Sequence, residues 1–285
     1  MSELGKRITF SVIAAPLTVV TVWLGGPAFV LLLTVAAALA ANEFAGLAVA
    51  SGSAPLKVHL VVLSALVPLA VHSRYLGFWA PSVTLLMLLV LEMLLVALTV
   101  RGSAGKPLEA VGVTLLGVLY TAGMLTFGYA LRYHEYAVGA LAGAMLVAYP
   151  LVLTWGTDIG AFVFGRWLGG RKLMPTVSPQ KTVAGAVGGL VVAVLISEIF
   201  GLILLPRAAH LALPWHRALL AGAVVSAAAQ VGDLVESMLK REAGVKDSSR
   251  LIPGHGGVLD RVDSLIFALP VAFAMLGWLL LPAVS

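Results

Sequence analysis

PSVTLLMLLVLEMLLVALTV, running from Pro81 to Val100, decides the fold class, because its twenty residues carry a single ionisable side chain, Glu92. A bilayer core about 30 Å thick takes about 20 apolar residues as an α-helix, so this stretch predicts a transmembrane helix. Working outward, the same punctuation of apolar runs by polar, Gly or Pro residues marks eight more spans. They are Ile8 to Leu24, Ala28 to Ala48, Leu56 to Val71, Leu108 to Leu131, Val138 to Phe164, Val183 to Leu205, Arg217 to Leu239 and Ser264 to Leu281. Over all 285 residues, 60% are hydrophobic and 11% charged, against about 25% charged in a soluble domain; the mean hydropathy is +1.04. The expected fold is therefore all-α, a polytopic membrane bundle of about nine helices.

The intervening loops orient it. With a cytoplasmic N-terminus, the inside segments hold Lys6, Arg7, Lys57, Arg101, Lys106, Arg166, Arg171, Lys172, Lys181, Lys240, Arg241, Lys246, Arg250 and Arg261. The outside segments hold Arg74, Arg132, Arg207 and Arg217. Fourteen against four is the bias that places Lys and Arg on the cytoplasmic side, and nine spans then put the C-terminus outside. The net charge of +5 has the same origin, together with attraction to anionic headgroups; nucleic acid is not an expected partner. Lys6 and Arg7 before an apolar run resemble a secretory signal, but no small-x-small site closes the run, so a retained first helix is expected. Without cysteine, disulfides, thiolate zinc sites and cysteine nucleophiles are excluded.

Glycines four apart, Gly139 with Gly143, Gly156 with Gly160, Gly165 with Gly169 and Gly185 with Gly189, let helices approach closely. They suit packing within one bundle or the seam of a homodimer. Acids are sparse in the first five spans, Glu43 and Glu92 among them, whereas all five aspartates lie at or after Asp158. The chain is thus expected to divide into N-terminal scaffold helices, 1–135, and C-terminal catalytic helices with their cytoplasmic loops, 136–285.

Polarity is densest in SMLKREAGVKDSSRLIPGHGGVLDRVD, Ser237 to Asp263. On a helix entering it, Asp233, Ser237 and Lys240 share one face, with Glu236 on its flank. Asp260 and Asp263 share another if that segment is helical. Intramembrane acids are unfavourable unless they line a wet cavity or bind a cation, and carboxylates from both sides of the loop are hard oxygen ligands suited to Mg2+. A salt-bridge lattice with Lys240, Arg241, Lys246, Arg250 and Arg261 is the plainer alternative. The compact turn Pro253 to Gly257 favours the first reading, since its backbone N–H groups would suit an anion; the spacing is not that of a Walker A loop. His255 is open between a solvated loop histidine and a phosphate contact. A second cluster starts at Asp158 and continues through Ser178, Pro179, Gln180, Lys181 and Thr182 into a glycine-rich helix start, where phosphate binding and simple capping are both available.

The Ser237 to Asp263 stretch resembles the motif of the CDP-diacylglycerol synthases, also called phosphatidate cytidylyltransferases. The matching residues are Ser237, Lys240, Arg241, Lys246, Asp247, Pro253 to Gly257, Asp260, Arg261 and Asp263. The upstream aspartate, the SPxKT box and the GDLxES element (Gly232, Asp233, Leu234, Glu236, Ser237) are similar as well. Val183, Ala184 and Gly185 stand where that family commonly has Trp-Glu-Gly.

The resemblance implies an integral membrane nucleotidyltransferase that converts CTP and phosphatidic acid to CDP-diacylglycerol and pyrophosphate in phospholipid biosynthesis. It further implies Mg2+, with or without a second cation such as K+, and a site on the cytoplasmic side of the inner (plasma) membrane. It assigns catalytic roles to Asp158, Lys181, Asp233, Asp260 and Asp263, with Asp233 and Asp260 as metal ligands. Substrate contacts are implied for Ser178, Lys181, Thr182, Ser237, Lys240, Arg241, Lys246, Asp247, Gly254, His255, Gly256, Gly257 and Arg261. Three rivals are a transporter, a CDP-alcohol phosphotransferase and a CTP-using lipid kinase. A transporter would spread polar residues through several spans, and the DGxxAR motif of the second is missing. Only activity separates the third.

Overall fold

A computed structural model describes residues 3–252, 254 and 256–282. Helices α1 (Glu3–Leu24), α2 (Gly26–Ala50), α3 (Lys57–Tyr75) and α4 (Val83–Arg101) come first, followed by α5 (Pro107–Val118), a π-helical turn at Leu119–Gly123 and α6 (Phe127–Arg132). Helix α7 (Gly139–Leu168) leads into strands β1 (Lys172–Met174) and β2 (Ser178–Thr182). Then come α8 (Val183–Ile199), a second π-helical turn at Phe200–Leu204, α9 (Leu205–Ala209), β3 (Leu211–Ala212), α10 (Trp215–Glu242), α11 (Leu259–Leu279) and β4 (Leu281–Pro282).

Among the described residues, eight helical segments are long and apolar enough to cross a membrane, and α1 adds an apolar stretch at Val12–Leu24. The protein is an all-α, multi-pass membrane bundle, as its apolar runs predict. Two boundaries moved in ways that matter. The last helix begins at Leu259 rather than Ser264, so Asp260 lies in its first turn. The segment before α8 is a hairpin rather than a bare loop, with Lys172 opposite Thr182 and Met174 opposite Ser178.

The chain divides into two compact units that are not continuous in sequence. The first comprises residues 1–21, 26–129 and 239–261; the second comprises 22–25, 130–238 and 262–285. The Leu239–Arg261 segment, which a division after residue 135 would assign to the C-terminal part, belongs with the N-terminal helices.

In the first unit, α2 packs on α3 and on the π-helical turn. Gly117 of α5 is a contact point, since a Cβ there would strike Leu60 and the Phe44 ring. The Thr114 hydroxyl accepts the Leu56 N–H at 2.8 Å and donates to the Ala110 carbonyl at 2.7 Å, so this buried group is satisfied on both counts. Helix α4 buries Met93 and Ala97 against Leu56 and Val111 and exposes Leu86, Leu91, Leu95 and Leu98, as a helix does when one flank faces lipid.

In the second unit, α7 and α8 pack most extensively, through glycines. A Cβ on Gly160 would meet the Gly188 carbonyl, one on Gly185 the Ala161 carbonyl, and one on Gly189 the Thr157 carbonyl. The pairs at Gly156/Gly160 and Gly185/Gly189 are thus used inside the bundle. Gly25 lies where the chain turns from α1 to α2 with φ +64°, packed against Tyr133 and Arg132. The Arg132 guanidinium donates to the carbonyls of Val22 (2.8 Å) and Trp23 (3.0 Å), satisfying acceptors at the end of α1.

Candidate functional site

A cavity of about 650 Å³ opens in the second unit, with Asp158, Ser178, Lys181, Thr182 and Asp233 in its wall. Asp158 projects from α7, where its neighbours Thr157 and Gly160 are buried against α8. Strand β2 supplies Ser178 and Lys181, and α10 supplies Asp233. The hairpin explains why this five-residue polar stretch holds a fixed shape. Its backbone groups are paired with β1, and the Val183 N–H donates to the Arg171 carbonyl at 2.9 Å.

Lys181 Nζ lies 2.5 Å from Asp233 Oδ2, and the two side chains keep 28% and 30% of their surface exposed. The Ser237 hydroxyl, one turn along α10, donates to Asp233 Oδ1 at 3.4 Å. Thr182 serves as the N-cap of α8, accepting the Gly185 N–H at 3.0 Å. Its hydroxyl is therefore engaged in the capping role that the sequence left open. Arg166, Gln180 and Gln230 also line the cavity and were not singled out as site residues. In the sequence Gln180 lies within the SPxKT box, and Arg166 reads only as one more inside-loop cation.

The first unit holds a second lysine–aspartate pair. Lys240 Nζ lies 2.7 Å from Asp260 Oδ1, with side-chain exposures of 12% and 5%. Asp260 Oδ2 accepts the Ser248 N–H (2.9 Å), the Ser248 hydroxyl (2.8 Å) and the Gly257 N–H (2.7 Å). The Gly257 N–H, expected to face a substrate phosphate, is thus spent on an aspartate. Gly256 has φ +81°, and a Cβ there would collide with the Asp260 carboxylate, so the chain passes close enough only as glycine. Gly254 also has positive φ. Arg241 donates to the Val245 carbonyl at 2.8 Å, closing its own turn, while Lys246, Asp247 and Arg261 are exposed. Asp263 belongs to the second unit, where its carbonyl abuts Gly232 of α10. Pro253 and His255 lie outside the described residues.

One participant escaped sequence reasoning. Glu43 of α2, 4% exposed, accepts hydrogen bonds from the Ser248 and Ser249 hydroxyls and from the Val258 and Leu259 N–H groups. The only local signal was an acid in an apolar run.

The donors around the cavity that could hold a metal are carboxylate, hydroxyl and amide oxygens, which suit a hard cation. Among the described residues no three acids or histidines converge as a ready-made metal cluster.

These features describe a polytopic helical membrane protein with a polar cavity whose wall carries a lysine–aspartate pair. The chain belongs to the cytidylyltransferase family, whose model matches residues 5–279. It is 46% identical to the phosphatidate cytidylyltransferase of Bacillus subtilis over 134 residues, covering 47% of this chain and 48% of that protein. An uncharacterized protein of Escherichia coli, YnbB, is 47% identical over 131 residues, 46% of this chain and 42% of that protein. The phosphatidate cytidylyltransferase of Staphylococcus haemolyticus is 35% identical over 195 residues, 68% of this chain and 70% of that protein. The aligned stretch thus spans about half the length of the first two relatives.

Proposed function

We propose that this protein transfers the cytidylyl group of CTP to phosphatidic acid, releasing pyrophosphate and forming CDP-diacylglycerol. The observation that carries this reading is the half-exposed Lys181–Asp233 pair on the cavity wall of the second unit, in a chain of the cytidylyltransferase family. A phosphatidate oxygen attacks the α-phosphorus of CTP, the bond from that phosphorus to the bridging oxygen breaks, and pyrophosphate leaves. The lipid phosphate is already ionised, so no side-chain nucleophile is required. The obstacle is repulsion between two polyanions, which fixed positive charge relieves.

Lys181 is placed to exchange its carboxylate partner for a substrate phosphate, which would leave the Asp233 oxygens available. Asp233 and Asp260 are each proposed as ligands of Mg2+, which when bound supplies charge neutralisation; the oxygen-only donor set suits K+ as a second cation too. The lipid's acyl chains stay in the bilayer, since withdrawing them costs about 0.8 kcal/mol per CH2, so phosphatidic acid is proposed to approach from the membrane and CTP from water. The inside-rich distribution of Lys and Arg supports a cytoplasmic N-terminus and an active site facing the cytoplasm at the inner (plasma) membrane. A homodimer, the other use open to the glycine pairs, enters none of these steps.

The test is transfer of label from CTP to phosphatidic acid by the purified protein in detergent with Mg2+. Label at the α-phosphate should appear in lipid and label at the γ-phosphate in released pyrophosphate. Movement of γ-label into lipid, the lipid-kinase outcome, or no transfer at all would overturn the assignment. Orientation is checked separately: a reporter inserted near Lys106 should report cytoplasm and one fused after Ser285 the opposite side. A cytoplasmic signal from both would refute the proposed topology.

A further inference from the structure

We propose that Glu43 is a positioning residue for the reaction, an anchor in the scaffold helix α2 that fixes the Ser248–Leu259 loop leading into Asp260; the inference rests on the function proposed above. Both carboxylate oxygens of Glu43 are used. Oε1 accepts from the Ser249 hydroxyl at 2.7 Å and the Val258 N–H at 3.0 Å, and Oε2 from the Ser248 hydroxyl at 3.0 Å and the Leu259 N–H at 2.7 Å. All four donors belong to the Ser248–Leu259 stretch. Two of them are main-chain N–H groups where α11 begins, donors that an isolated helix leaves unsatisfied. Glu43 thus caps α11 from another helix, with charge of the sign that a helix N-terminus favours.

Ser248 also links the anchor directly to Asp260. Ser248 Oγ lies 3.0 Å from Glu43 Oε2 and 2.8 Å from Asp260 Oδ2, and its single proton serves one carboxylate at a time. Gly257 closes the arrangement. Its N–H donates to Asp260 at 2.7 Å, and a Cβ on it would overlap both Ser248 Oγ and the Glu43 carboxylate. Glu43, Ser248, Gly257 and Asp260 therefore form one contiguous hydrogen-bonded and closely packed group. An intramembrane acid is usually a functional group or a structural polar anchor. This one directs its whole hydrogen-bonding capacity at the segment that holds a proposed metal ligand in place.

Glu43→Gln tests it, because the amide keeps one acceptor oxygen and turns its NH2 toward the donors of Val258 or Leu259. In hydrogen exchange without substrate or metal, the Val258 and Leu259 amides should exchange at least about tenfold faster in the variant, as expected for a lost charge-assisted bond. The Leu56 amide, held by Thr114 in the same unit, should be unchanged. In the transfer assay, the Mg2+ concentration for half-maximal rate should rise about 10- to 100-fold, as when a partner of a metal ligand is removed. Glu43→Asp, which keeps the charge on a shorter arm, should fall between the two. Should Glu43→Gln fail to fold, Ser249→Ala removes a single donor and should shift the Mg2+ requirement about fivefold.

Unchanged exchange at Val258 and Leu259 would overturn the anchor. Wild-type Mg2+ dependence, with any loss of rate matching the loss of folded protein, would overturn its role in the reaction. Inactivity of the wild-type protein would instead sink the proposed function, and the exchange result would still decide the anchor.

Discussion

In the second unit, Lys181 and Asp233 meet with 28% and 30% of their side chains exposed, on the wall of an open cavity. In the first unit, Lys240 and Asp260 meet with 12% and 5% exposed, and three further donors converge on the aspartate. Identical residue types at similar distances thus have different physical meanings. A partly exposed ion pair is worth up to about 1 kcal/mol, so separating it is a modest cost. A buried pair that loses one member strands a charge, at a cost of about 3–5 kcal/mol. The contrast separates a weakly held contact from a firmly held one, and the function proposed above assigns phosphate capture to the first and a metal ligand to the second.

The sharpest way to break the comparison is to neutralise each aspartate. Asp233→Asn and Asp260→Asn should both lower turnover by about three orders of magnitude, as loss of several kcal/mol of transition-state stabilisation requires. Only Asp260→Asn should also lower the melting temperature markedly in detergent, because Lys240 is left buried without its carboxylate. Equal melting shifts in the two variants would erase the distinction. Lys181→Ala comes next. It should raise the KM for CTP about tenfold, as loss of a charge-assisted contact does, while melting and Mg2+ requirement stay near wild type. A raised Mg2+ requirement would show that Lys181 supports the metal site rather than a phosphate.

The smallest effect belongs to His134, in the second unit between two membrane helices. It packs edge-on against Phe273 at 5.5 Å and beside Tyr136 at 5.2 Å. Burial holds its pKa below the ordinary value, with Glu135 opposing weakly. The folded state therefore resists the proton that the unfolded chain accepts near pH 6.5. The sign follows: the stability is intact above that pH and declines as pH falls below it toward the folded-state pKa. Melting between pH 8 and 5 should show a decline that flattens in His134→Phe. An unaltered slope would remove His134 from the account.

Much of this was legible in sequence because its signals are local. Val83–Arg101 reads as a membrane helix from its own residues, and Asp233, Lys240 and Asp260 stand out as polar groups in an apolar chain. The β1–β2 hairpin was not legible. Three and five residues carry too little periodicity, and what fixes the hairpin is its backbone pairing across a short turn. Nor was the grouping of Leu239–Arg261 with the N-terminal helices, since Glu43 and its partners lie more than 200 positions apart in sequence. The same distance hid the difference between the two lysine–aspartate pairs, which depends on burial rather than on residue type.

The Glu43 contact also has a history in the making of the chain. Glu43 is synthesised 205 residues ahead of Ser248, which at about 5–20 residues per second is roughly 10–40 s. Through that interval the acid must be kept out of bare hydrocarbon, where a side chain of this kind is opposed by about 3 kcal/mol. Whatever shelters it, water in the insertion machinery or a neighbouring helix, must later give way to the arriving loop. A segment made 205 residues later completes the contact that Glu43 begins, and until it arrives the newborn chain must shelter that acid by other means.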